Sequence, residues 1–194
     1  MRWVVVTILG LCSLAAARGA PATSPSQDAG AKRVISGSMG LTFAVPAAWR
    51  TEDAGPSKDE TGAEFRTLRL KDVDSNSTVL AIVRREKPPG GGPDAKAHAK
   101  AAVDYHLHAA TSHGGKIVVE EDVTVAGAPG RLGELALDVE GKPMRLVVVC
   151  FVLRDREYKL TLIGEQDFVR DVRPQFTRLL ASIEPAPATG KGTE

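Results

Sequence analysis

The sequence predicts an α+β fold, a single domain in which a mainly antiparallel β-sheet is sandwiched by helices in an α/β/α arrangement. Three observations predict it. Strand-like runs follow one another between residues 116 and 163 with only short polar links between them. Such links join antiparallel neighbours, because a parallel return needs a crossover of about a dozen residues or more. Two segments carry helical spacing, one between groups of strands and one closing the domain. The run LVVVCFVL at residues 146–153 is apolar on both parities, with Val147, Val149, Phe151 and Leu153 on one face and Leu146, Val148, Cys150 and Val152 on the other. A strand buried under a layer on each side reads this way.

The chain has 194 residues and begins MRWVVVTILGLCSLAAARGA, with a basic Arg2, an apolar run from Trp3 to Ala17 and no acid before Asp28. This is the pattern of a secretory signal peptide over residues 1–22. The apolar run falls short of the roughly 20 residues that cross a bilayer. Small residues at Ala15, Ala17, Ala20 and Ala22 put cleavage between Ala17 and Thr23. A lipid anchor on Cys12 is the competing expectation, but a lipoprotein signal has a small residue just ahead of the cysteine, and Leu11 is bulky. Soluble export, to the periplasm or beyond the cell, is therefore expected. Residues 23–33 and 185–194 are rich in Pro, Ala, Ser, Thr and Gly and have little to bury, so they are expected as a flexible linker and a disordered tail. The domain is expected over residues 34–184.

Within it, Leu41, Phe43 and Val45 alternate until Pro46 ends the first strand. Strands are expected at 64–70 and 78–84, joined through the turn-forming KDVDSNS. The breaker cluster KPPGGGPD ends in Asp94, an N-cap for an alanine-rich helix running to about Ser112, where Gly114 and Gly115 stop it. Ala99, Val103, Leu107 and Ala110 recur along that helix at helical spacing. Strands at 116–125, 131–139, 144–154 and 157–163 come next; in the last, Tyr158, Leu160 and Leu162 alternate with Glu157, Lys159 and Thr161 as in a half-solvated strand. A helix over 167–182 closes the domain with the stripe Val169, Val172, Phe176, Leu179, Leu180 and Ile183.

Charge and cysteine content exclude several functions. Removing residues 1–22 takes Arg2 and Arg18 from 25 basic residues and nothing from 24 acidic ones, leaving 23 against 24, a formal charge of −1. Nucleic acid and anionic membranes call for a clustered basic excess instead. With Cys12 gone, Cys150 is the only thiol, so no intramolecular disulfide can form. Its neighbours in sequence are apolar, and a reactive thiol needs a cation or base and access to solvent, so Cys150 is assigned to packing.

The four histidines, His98, His106, His108 and His113, cluster in or just after the first helix. No pair stands at i,i+3 or i,i+4, where two imidazoles converge on one ion. His106 and His113 share a face but sit about 10 Å apart, so no metal site is assigned. PPGGGPD lacks the lysine and hydroxyl of a phosphate loop, and Asp94 would repel an anion at the helix start. Glu120, Glu121 and Asp122 read as a solvated strand end rather than paired catalytic carboxylates. Ser112 beside His113 is adjacency and builds no triad. The sequon Asn76-Ser77-Thr78 has meaning only in a eukaryotic secretory route. No catalytic, cofactor-binding or metal-binding residue is assigned, and no cofactor is expected.

FAVPAAW at 43–49, YKLTL at 158–162 and FTRLLASI at 176–183, together with the order of elements, resemble the PsbP-like superfamily over residues 34–184. The resemblance implies an antiparallel sheet between helical layers and no shared catalytic motif. Its members include an extrinsic subunit of photosystem II, a nuclear-import factor that binds the GTPase Ran, and exported bacterial proteins. The expected function is that of a non-enzymatic exported accessory protein acting through protein-protein contacts in the cell envelope, its partner an envelope protein. The alternative is a small-ligand or lipid carrier with a pocket between sheet and helix.

Overall fold

The computed structural model describes residues 30–60, 62–86, 94–112 and 114–187. The expected signal peptide with Cys12, most of the linker, the glycine cluster before Asp94, His113 and the tail from residue 188 lie outside them. The described elements run β1 (Lys32–Ser36), β2 (Leu41–Val45), β3 (Trp49–Lys58), β4 (Glu64–Asp72), β5 (Thr78–Glu86), α1 (Ala95–Thr111), β6 (Lys116–Val125), β7 (Ala128–Val139), β8 (Lys142–Leu153), β9 (Arg156–Glu165), α2 (Gln166–Ala181) and β10 (Glu184–Pro185). No helix among them is long and apolar enough to cross a membrane.

Seven strands form one sheet in the order β3-β4-β5-β9-β8-β7-β6, and β1-β2-β10 form a second, smaller one. Every pairing is antiparallel. The meander from β6 to β9 turns three times on two residues of positive φ: Ala126-Gly127, Glu140-Gly141 and Arg154-Asp155. That left-handed pair matches the right-handed twist of the strands it joins. The tight first turn lets β7 begin at Ala128, three residues before the expected start, because Pro129 and Gly130 pair with Thr124 and Val123 instead of looping out.

Three strands were not expected from the sequence. β1 is five residues long, mostly exposed, and is held by its partner β2 rather than by its own pattern. It starts at Lys32, inside the segment expected as linker, and β10 likewise takes Pro185 from the expected tail. β3 is polar, interrupted by Gly55-Pro56, and slips in register between Asp53 and Pro56, as an edge strand tolerates and a central strand does not.

β8 lies between β7 and β9, inside the sheet. Its two parities enter two different cores. Val147, Val149 and Phe151 join Leu41, Phe43 and Val45 of the small sheet and Val169, Phe176 and Leu179 of α2. Leu146, Val148 and Cys150 join Ala99, Val103, Leu107 and Ala110 of α1, with Leu135 of β7. The sheet thus carries a helix on each face, but the layering is unequal. α1 packs on β7 and β8, and on its side of the sheet Phe65, Thr67 and Arg69 of β4 and Val83 of β5 stay only part-buried. Close approach of α1 depends on Gly133 of β7, where a Cβ would lie 2.8 Å from both Leu107 Cδ2 and Val103 Cγ1. Asp94 caps the helix as expected, its carboxylate accepting from Ala97 N–H at 2.7 Å.

Candidate functional site

Where the flank of α1 ends and the sheet continues, the two enclose a cleft of about 390 Å³ lined by Val83 and Arg85 of β5, Glu157 and Lys159 of β9, and the His98, Ala101, Ala102, Tyr105 and His106 side of the helix. The helix residues recur at i, i+3, i+4, i+7 and i+8, a second stripe running beside the buried one. The small Ala101 and Ala102 leave the space that larger residues would fill. On the sheet, Glu157 and Lys159 alternate with Tyr158 and Leu160, whose side chains enter the opposite core. Tyr158 is fixed there, stacked on Phe151 with ring centroids 5.1 Å apart and donating its hydroxyl to Met39 O at 2.8 Å.

The polar side of β9, expected to face solvent, is instead the floor of this cleft. The reason is lateral placement: α1 rests over β7 and β8, and its flank stands beside β9. Lys159 Nζ donates toward His106 Nε2 at 3.4 Å. Burial holds the Lys159 ammonium below its ordinary pKa, with the neighbouring Arg85 charge acting in the same direction. Burial also pushes His106 down to about 4, helped by the Lys159 and Arg85 charges, so its imidazole is neutral near pH 7. Opposite them, His98 Nε2 and Glu157 Oε2 lie 2.5 Å apart. Arg85 pairs with Asp59 at 3.4 Å and sits 5.7 Å from the Phe65 ring centroid. Tyr105, 59% exposed, forms the lip and packs edge-on against His106.

The residues singled out in the sequence separate clearly. His98 and His106 both line the cleft, His108 is exposed, and His113 lies outside the described residues. Among the described residues no three His, Cys, Asp or Glu side chains stand close enough to hold a metal ion. Cys150 is 0% exposed, and burial drives its thiol up to about 12. Its sequence neighbours are apolar, yet the register sets Lys159 and Arg131 directly across from it on the adjoining strands. Neither activates it, because no water reaches the sulfur to support a thiolate. Glu120 and Asp122 both accept from Arg131, at 2.5 and 2.9 Å, and Asp122 also pairs with Lys96 at 2.6 Å. Those cations hold the Asp122 carboxyl below its usual range, so these carboxylates tie α1, β6 and β7 together. Asn76 sits in the β4–β5 turn at positive φ and accepts from Arg50.

Arg85, Glu157 and Lys159 were not singled out from the sequence. The helix stripe could have been found there; its pairing with β5 and β9 could not, because it depends on strand order.

No family model matches the sequence, and no curated protein matches it significantly. Solved structures do. Cyanobacterial PsbP from Synechocystis sp. PCC 6803 superposes with a TM-score of 0.56 at 15% identity, over 85% of this chain and 98% of that one. LpqN, involved in cell envelope biogenesis of Mycobacterium tuberculosis, superposes at 0.50 and 11% identity, over 80% and 90%. A Pseudomonas aeruginosa protein of unknown function superposes at 0.46 and 17% identity, over 81% and 99%.

Proposed function

We propose that this chain, whose fold is PsbP-like, is an exported, non-enzymatic binding protein of the cell envelope, and that the cleft between α1 and the β5–β9 pair is where it meets a protein partner. The observation that carries this is the cleft itself: charged side chains stand part-buried in a concavity of ligand size, which favours recognition of a polar group. The sealed, un-ionised Cys150 supports a role without covalent chemistry. The signal-like residues 1–22 and the involvement of LpqN in envelope biogenesis support the address.

A photo-crosslinking amino acid in place of Tyr105 tests the site in the intact host. Attachment of one envelope protein through position 105, and none through the exposed β6 position 121, is expected. Adducts from both positions, or from neither, count against it. A small polar ligand in the same cleft is the alternative, and the cleft favours it over a lipid carrier because the walls are polar. Native mass spectrometry of protein purified from its host would reveal such a ligand, and its loss in Lys159→Gln would assign it to this site.

A further inference from the structure

The cleft brings together two cations that share a face of the sheet. In the β5–β9 register, Val83 lies opposite Lys159 and Arg85 opposite Glu157, so Arg85 and Lys159 are diagonal neighbours. Diagonal positions on one face are roughly 7 to 8 Å apart at Cα, within reach of two long side chains converging on one group. Arg85 is partly answered by Asp59 at 3.4 Å. The cleft's own carboxylate, Glu157, is engaged by His98 at 2.5 Å. Among the described residues Lys159 has no carboxylate within ion-pair distance; it meets a neutral imidazole. Charges held out of water are paired as a rule, and this ammonium points into a concavity that admits a counter-charge from outside.

Taking the cleft as the recognition site, we propose that it binds an oxyanion, a carboxylate or phosphate group, gripped between the Lys159 ammonium and the Arg85 guanidinium. Lys159 supplies a point charge and Arg85 a planar fork, a combination suited to an oxygen-rich anion. His106 stands beside the bound group as a proton-responsive reporter. Tyr105 offers a ring and a hydroxyl at the entrance to the part of the ligand or partner that carries the charge.

The test is NMR of the mature protein, following the His106 ring and the Lys159 Nζ protons while inorganic phosphate, acetate or a blocked tetraglutamate peptide is added. A saturable shift at both groups is expected, weakened about tenfold in Lys159→Gln and retained in Lys159→Arg, as loss of one charge-assisted contact implies. Arg85→Gln should weaken it as well, and Lys96→Gln should leave it unchanged. In the wild type, saturating phosphate should also raise the His106 titration midpoint, because a nearby anion favours the imidazolium. Phosphate binding more tightly than the peptide identifies a free small anion. A peptide binding at least about tenfold more tightly than acetate identifies carboxylates borne by a polypeptide. Silence of all three probes at His106, or unchanged binding by a folded Lys159→Gln, overturns the proposal. Crosslinking through position 105 with silent probes removes the oxyanion and leaves the contact site; binding probes with no crosslink remove the contact site alone.

Discussion

On one face of β8, Val147, Val149 and Phe151 meet two further layers, the small sheet and α2, and the core there extends across β4, β5 and β9 to Leu68, Ile82 and Leu160. On the other face, Leu146, Val148 and Cys150 meet only α1, and the core ends after a helix width. The first side contains phenylalanine, tyrosine and tryptophan; the second is built from alanine, valine, leucine and one cysteine. Large side chains span a deep gap between layers, whereas small ones draw a helix close to the sheet and leave its flank without reach. The two faces thus divide the labour. The deep side holds the domain together, and the thin side ends in a polar cleft.

On this contrast the deep side is the more sensitive. Phe151→Ala should cost about 3–5 kcal/mol, since it deletes a 0%-exposed ring from both the core and the stack on Tyr158. Urea denaturation measures it, and a cost under about 1 kcal/mol would show that the deep side is not the more sensitive one.

The thin side should show itself through pH. His106 accepts a proton in the folded state only near pH 4, against about 6.5 when unfolded. A folded pKa below the unfolded one means that the stability it contributes is complete above pH 6.5 and is lost as the pH falls toward 4. The loss should be roughly 2 to 3 kcal/mol, and His106→Gln should lack it. Identical pH dependence of the two proteins in urea melts between pH 7 and 4 would place His106 outside the cleft.

Cys150→Ala should cost about 1–2 kcal/mol, less than the phenylalanine change because a smaller volume is removed beneath α1. In the wild type a thiol reagent should label Cys150 only as fast as the protein opens; prompt labelling in the native state would contradict the sealed strand. The smallest expected effect has the opposite sign. Lys159→Met should raise stability by about 1 kcal/mol, because an apolar side chain replaces an ammonium that burial disfavours. A destabilised Lys159→Met would mean that the ammonium already has a partner within the fold.

Much of the fold was legible where one element carries its own pattern. The stripe from Val169 to Ile183, the cap at Asp94, and the doubly apolar run around Cys150 each appear in the structure as the sequence implies. β1, β3 and β10 were hidden because partners hold them: their own residues are short, polar or broken by Pro56. Lys159 was misplaced for a related reason. Alternation in β9 correctly separates it from Tyr158 and Leu160, but it says only which face Lys159 takes, not what stands above that face.

By itself, then, the sequence determined the two helices and the strands that carry their own pattern, the sidedness of those elements, the apolarity of both faces of β8 and the packing role of Cys150, because periodicity and capping act over a few residues of one segment. The tertiary structure alone decided that β9 lies between β5 and β8, that α1 stops short of it, and that Arg85, His106, Glu157 and Lys159, drawn from three separate elements, share one concavity. Strand order and helix placement come from how whole faces bury against each other, a property that no single stretch of chain carries.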